Sequence, residues 1–238
     1  FIPQSILQNP SKLTDEEFEV MKTHTTIGYK ICMNDLKLRP YAAGPLYHHE
    51  ALNGTGYPQG LTKKDIPYEG QIIRVADEYD AIVSKRQYKS HIGITDTIKI
   101  LIDNTKPFSN VDSSVAVRHL SENAKLGKDN PIIVKALISV VIEDINYEIS
   151  CSLDYLSNLE STIKRLKIAK DYNDKMLKAS NDKKRQYYFE GVKSYLAPEE
   201  NPENFENVLS EYVIAYDNKK AHIAHLQDEI KKIKKLRV

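Results

Sequence analysis

The sequence predicts an all-α protein: a helical domain continued by a long helical arm. Three observations predict it. Apolar residues recur at spacings of three and four almost throughout, and few stretches alternate with the period of a strand. Helix boundaries are marked, as where Thr14 is followed by Glu17 in a capping box that satisfies orphan amides at a helix start. Beyond Glu143 the apolar spacing narrows to a stripe: Ile149, Leu153, Leu156, Leu159, Ile163 and Leu166.

In chain order, the first helix is expected from Thr14 to about Met33, with Val20, His24, Ile27 and Ile31 inward. A second helical region ends near His49, and the Pro/Gly-rich loop from Gly54 to Pro67 separates it from a third. That third helix starts around Pro67, a residue suited to a first turn, and runs to about Val83. Its expected buried stripe is Ile72, Val75, Ala76, Tyr79 and Val83. Two more helices are expected at Thr95 to Asn104 and Val111 to Lys125. The terminal segment repeats the stripe as Ile223, Leu226, Ile230 and Ile233, after a breaker from Ala197 to Pro202. Two long helices folded back as an antiparallel hairpin would bury both stripes, and so would a coiled coil joining two chains. The expected division is therefore a domain over 1–143 and a coiled-coil-like extension over 144–238.

At 238 residues the chain is longer than one average domain and large enough to bury a core. Its 34 basic and 33 acidic residues leave a net charge of +1, which argues against a whole-chain binder of nucleic-acid polymers or membrane surfaces. Two cysteines, Cys32 and Cys151, build no disulfide framework, so a reducing cytoplasm is the expected location. The longest apolar runs, such as Ala136 to Ile142, fall short of the roughly 20 residues of a membrane helix. The chain opens on Phe-Ile-Pro rather than Met and reads as a fragment of a longer product.

The densest chemistry lies in Tyr47-His48-His49-Glu50, followed by Asn53-Gly54-Thr55-Gly56-Tyr57-Pro58. Adjacent histidines on a helix diverge by about 100°, so both reach one pocket only where the helix end is distorted or the pocket wraps it. Pro45 could supply a kink by removing a backbone donor. Neutral imidazoles with a nearby carboxylate suit a divalent transition metal; the plainer alternative is two exposed or capping histidines. His24, on the apolar face of its helix, is either a ligand or a satisfied core residue. Asp77, beside the stripe through Ala76, needs a partner, whether a lysine, an arginine or a metal.

The string HHEALNGTGYPQGL, followed by IPYEGQIIRVADEYDAIVSKRQYK, resembles the HD-GYP branch of the HD phosphohydrolases. The opening FIPQSILQNPSKLTDEEFEVMKTHTTIG resembles the segment that follows this family's His-Asp dyad, and Lys128-Asp129-Asn130-Pro131 resembles the start of the domain's last helix. The resemblance implies the C-terminal part of an HD-domain helical bundle and metal-dependent hydrolysis of cyclic dinucleotides, chiefly cyclic di-GMP, in bacterial second-messenger signalling. It implies a cage of two or three iron or manganese ions, with His24, His48, His49 and Asp77 as ligands and Asp80 supporting them. Arg86 and Lys89 would hold substrate phosphate, and Tyr57 would line the groove. Asn53 stands where the family usually has aspartate and Gln87 where it has proline, and roughly 20 residues look inserted between Asn104 and Lys128. The dyad itself would precede Phe1, so the fragment is expected to hold about half a metal site, no catalytic residue and no activity of its own. The alternatives are a non-catalytic cyclic-dinucleotide receptor, or an assembly module in which the arm matters and a homodimer forms through the C-terminal helices.

Overall fold

The computed structural model describes residues 1–84, 92–107, 126–197 and 205–238. Among these the chain is all-α, with eight helices and no strand; a lone antiparallel bridge joins Asn53 and Thr62. The chain forms two compact units, residues 1–142 with 231–238, and residues 143–230. The helices are α1 (Gln4–Leu7), α2 (Asp15–Asn34), α3 (Ala43–Tyr47), α4 (Tyr68–Val83), α5 (Ile94–Asn104), α6 (Pro131–Leu177), α7 (Asp182–Ser194) and α8 (Phe205–Ile233). No helix among the described residues is long and apolar enough to cross a membrane.

In the first unit, α2 begins as its sequence dictates. The Thr14 hydroxyl accepts from the Glu17 amide at 3.2 Å, and the Glu17 carboxylate accepts from the Thr14 amide at 2.9 Å. Asp15, Glu16 and Glu17 fill the first turn, where the helix dipole favours negative charge. The inward face differs from the expected one. Val20 and Ile31 are 39% and 44% exposed, whereas Thr25 is fully buried. Burial of Thr25 costs no hydrogen bond, because its hydroxyl donates to the Lys22 carbonyl at 2.9 Å. Gly28 completes this face: a Cβ there would lie 2.9 Å from the Pro45 side chain, so the missing side chain lets α3 cross closely.

Helix α4 turns a polar face inward. Gly70, Gln71, Arg74 and Val75 are buried, while Ile72 and Ala76 of the expected stripe are exposed. Remote partners decide this. The Gln71 carboxamide donates to the Ile66 carbonyl and accepts from Asn130, and Arg74 pairs with Asp129. Helix α5 buries Thr95, Thr97, Ile98, Leu101 and Ile102. The helix expected over Val111 to Lys125 lies outside the described residues. The chain returns where it left: the Asn104 carbonyl accepts from the amides of both Lys128 (2.7 Å) and Asp129 (3.1 Å).

In the second unit, α6 and α8 are the expected long helices. They run antiparallel: Glu148 meets His222 at 2.7 Å, the Lys219 ammonium lies over the Tyr155 ring, and Leu166 and Ala169 pack with Val208, Leu209 and Tyr212. Within this unit the buried positions on α6 are Ile145, Ile149, Ser152, Leu159, Leu166 and Ala169; Leu153, expected inward, is 51% exposed while its neighbour Ser152 is buried. Ile223, Leu226, Ile230 and Ile233 of α8 are all buried. The unexpected element is α7, started by the Asn181 side chain accepting from the Lys184 amide. Its Val192 is buried against Leu166 and Ala169, and the Arg165 guanidinium donates to the Tyr195 carbonyl at 2.7 Å. The breaker from Pro198 to Pro202 lies outside the described residues.

Candidate metal centre

Two elements aim histidines at one point. Helix α2 presents His24 from its middle, half-buried. Helix α3 ends at Tyr47, so His48 and His49 sit where the chain leaves the helix. Their rings lie 4.1 Å apart, centre to centre, tilted by 42°. Pro45 falls within the first turn of this five-residue helix, where no intrahelical donor is lost, so it supplies no kink. Instead its carbonyl serves the site as a hydrogen-bond acceptor for His48.

One ring nitrogen from each of His24, His48 and His49 can be chosen so that all three lie within 4.8 Å of one another. The partners of the other nitrogens define the chemistry. His24 Nδ1 lies 2.7 Å from the Met21 carbonyl; His48 Nδ1 lies 2.9 Å from the Pro45 carbonyl and 3.1 Å from that of Gly44. A carbonyl only accepts, so both Nδ1 atoms carry protons and donate. In neutral rings each Nε2 is then a bare lone pair, and the two Nε2 atoms face each other at 3.2 Å. Two lone pairs at that separation repel, and a metal ion or a shared proton between them relieves the repulsion. Burial, then His24, holds His48 below its ordinary value. Burial first, then His48, His24 and Arg74, pushes His49 down to about 3. Both therefore resist protonation, and three imidazole nitrogens so placed are a donor set that suits a divalent metal.

The other expected site residues are placed less uniformly. Asp77 is exposed on α4 and lies outside that group of three, yet its charge acts on both His48 and Tyr57. Asp80 accepts a hydrogen bond from the Ser84 hydroxyl at 3.0 Å. The Tyr57 ring stacks on His49, 4.6 Å between centres, and its amide donates to the His49 carbonyl at 3.1 Å. Gly56 makes this return possible, because a Cβ there would collide with the backbone of His49, Glu50 and Ala51. Burial, then the charge of Asp77, pushes the Tyr57 hydroxyl up to about 12, so it stays a neutral donor. Arg86 and Lys89 lie outside the described residues.

A supporting network escaped the sequence reading. Glu50 is 1% exposed, and its carboxylate accepts from the amides of Gln59 (2.6 Å) and Leu61 (2.8 Å). It thus clamps the loop that carries Tyr57 rather than joining the histidines. Arg74 reaches Asp129 at 2.7 Å, the Glu50 carbonyl at 3.2 Å, and Glu78. Burial, opposed by Arg74, pushes Glu78 up to about 7. A protonated Glu78 can donate to Asp129, whose Oδ2 is otherwise buried without a partner. The only local signal was a charged Arg74 beside Val75 in a face expected to be buried.

Residues 1–115 match the family model of the HD domain, a class of metal-dependent phosphohydrolases. The chain is similar to a cyclic di-GMP phosphodiesterase of Thermotoga maritima, 50% identical over 91 residues, covering 37% of this chain and 25% of that protein. It is also similar to the cyclic di-GMP phosphodiesterase response regulator RpfG of Xanthomonas campestris, 44% identical over 90 residues, covering 37% of this chain and 24% of that protein. A 3'3'-cGAMP-specific phosphodiesterase 2 of Vibrio cholerae is 39% identical over 90 residues, 37% of this chain and 17% of that protein. The chain thus spans about a quarter or less of the length of these relatives. The three histidines and the loop stacked on them thus lie within residues 1–115, the part of the chain that matches the HD domain family model, and the relatives it resembles support the HD-GYP likeness of that part.

Proposed function

We propose that this chain is part of a metal-dependent phosphodiesterase that hydrolyses cyclic di-GMP or a related cyclic dinucleotide in bacterial second-messenger signalling. The observation that carries the reading is the facing pair of Nε2 lone pairs on His24 and His48, with His49 beside them. In this reading His24, His48, His49 and Asp77 hold iron or manganese, which when bound would activate water and neutralise phosphate charge. The residues of this chain do the rest. The Met21, Gly44 and Pro45 carbonyls fix the tautomers of His24 and His48 so that Nε2 points into the site. Glu50 holds the loop, and with it Tyr57, against the cluster. Tyr57, Arg86 and Lys89 receive the anionic substrate, the last two by pairing with its phosphate. Asp80 supports the cluster from α4. The arm is read as a hairpin closed within the chain, a reading supported by the burial of Ile149, Leu159 and Leu166 on α6 and of Ile223, Leu226, Ile230 and Ile233 on α8.

Titration of the chain with manganese, followed by the free-ion electron paramagnetic resonance signal, tests the reading without turnover. His48→Ala should weaken binding by roughly tenfold or more, the range seen when a metal loses a support. Unchanged affinity in His24→Ala, His48→Ala and His49→Ala alike would overturn it.

A further inference from the structure

A cavity of about 300 Å³ opens beside the histidine cluster, between α2, the loop carrying Tyr57, and α4. It shares His49 with the cluster, so it begins where the cluster ends. Its volume is at the lower end of ligand pockets, about 300–1,000 Å³, which suits one nucleotide and not two.

One wall has a specific chemistry. Phe18 and Lys22, a turn apart on α2, meet Tyr57 from the loop. The Phe18 and Tyr57 rings pack edge to face at 5.9 Å, and the Lys22 ammonium lies 5.0 Å from the centre of the first and 5.7 Å from that of the second. An aromatic face beside a mobile cation is how proteins hold a base and its phosphate together. Phe18 is 42% exposed, which leaves ring surface for a ligand. Arg74 in the lining is engaged with Asp129, Glu78 and the Glu50 carbonyl, and of the two lysines in the lining, Lys22 and Lys128, Lys22 is the one set against the aromatic rings where a base would stack. The partner of Lys22 is Glu19, whose side chain is 70% exposed. Such surface pairs hold weakly, and a phosphate outcompetes a solvated carboxylate for the ammonium.

We propose that this cavity is a subsite for one nucleotide of the substrate, in which Phe18 stacks on a purine base and Lys22 pairs with that nucleotide's phosphate. The proposal rests on the cyclic-dinucleotide reading and adds two binding residues on α2 to it.

Calorimetry of the manganese-loaded chain with 5′-GMP, ribose 5-phosphate and cyclic di-GMP tests it. Phe18→Leu keeps apolar bulk at a part-exposed position but removes the flat face. It should weaken 5′-GMP roughly tenfold, the worth of one base stacked on an aromatic ring, and leave ribose 5-phosphate unchanged. Lys22→Gln should weaken both ligands by a similar factor, and manganese affinity should stay unchanged in both variants. If both variants bind 5′-GMP and cyclic di-GMP as tightly as the unaltered chain, the subsite is overturned and the dinucleotide reading stands. If the unaltered manganese-loaded chain binds neither nucleotide, both fall together.

Discussion

The two units bury different kinds of residue. In residues 1–142 the interior includes Thr25, Glu50, Gln71, Arg74, Thr97, Asp129 and Asn130 alongside its aliphatic side chains. Among the described residues of 143–230 it is Ile145, Ile149, Leu159, Leu166, Ala169, Val192, Ile223, Leu226 and Ile230, with Ser152 the polar exception. The first kind of interior is directional. Each buried donor or acceptor demands a partner at one distance and angle, so the backbone around it has little freedom to slide. The second kind is tolerant, because apolar contact scales with area and accepts small shifts. A site that must hold three ring nitrogens within a few ångströms sits in the first unit, beside the Arg74 network. The arm needs only to remain a paired helix.

The difference can be broken from either side. The largest effect is expected from Arg74→Met, which strands the Asp129 carboxylate in a buried setting and leaves Glu78 with Asn104. Removing one partner of a buried ion pair costs about 3–5 kcal/mol. Urea unfolding monitored by amide exchange should show this loss in α4 and α5, with α7 unaffected. Leu166→Ala tests the other interior. A Leu→Ala cavity costs about 2–5 kcal/mol, and exchange should accelerate around α7 while manganese binding is unchanged. Should Leu166→Ala also weaken manganese binding, the two interiors are not independent. The smallest effect is expected from Glu50→Gln, which replaces one acceptor oxygen with an amide donor and leaves an amide of the loop without a partner. That costs about 1–3 kcal/mol and should appear as faster exchange at Gln59 or Leu61 only.

The elements readable in advance are those whose cause is local. Thr14 and Glu17 lie three residues apart, so the start of α2 is written in adjacent sequence, and the apolar spacing of α8 placed its buried face correctly. The buried faces of α2 and α4 differ from the expected ones for one reason: in both helices polar side chains with partners go inward while apolar ones stay exposed. Thr25 is buried because its hydroxyl finds a carbonyl one turn back. Arg74 is buried because Asp129, 55 residues away, meets it. Helix α7 was missed because Val192 is its sole buried apolar side chain, although Asn181 marks its start. At the candidate site, the three histidines and Tyr57 were legible as residues. Their tautomers were not, because these depend on carbonyls whose positions only the fold sets. Glu50 was passed over because its role requires a loop to fold back nine and eleven residues later.

The carbonyl of Asn104 accepts from both Lys128 and Asp129, so the chain leaves and re-enters the domain at one atom. A stretch whose ends are pinned together puts little tension on the backbone at the pin, whatever its length. Doubling such a stretch costs only about 0.6 kcal/mol of closure entropy. Ile98 and Leu101, both fully buried on α5, and Asp129 on the returning strand of chain are thereby insulated from its length. Residues added between the two ends of that pin are therefore expected to leave the burial of α5 and the arrangement of the histidines unchanged.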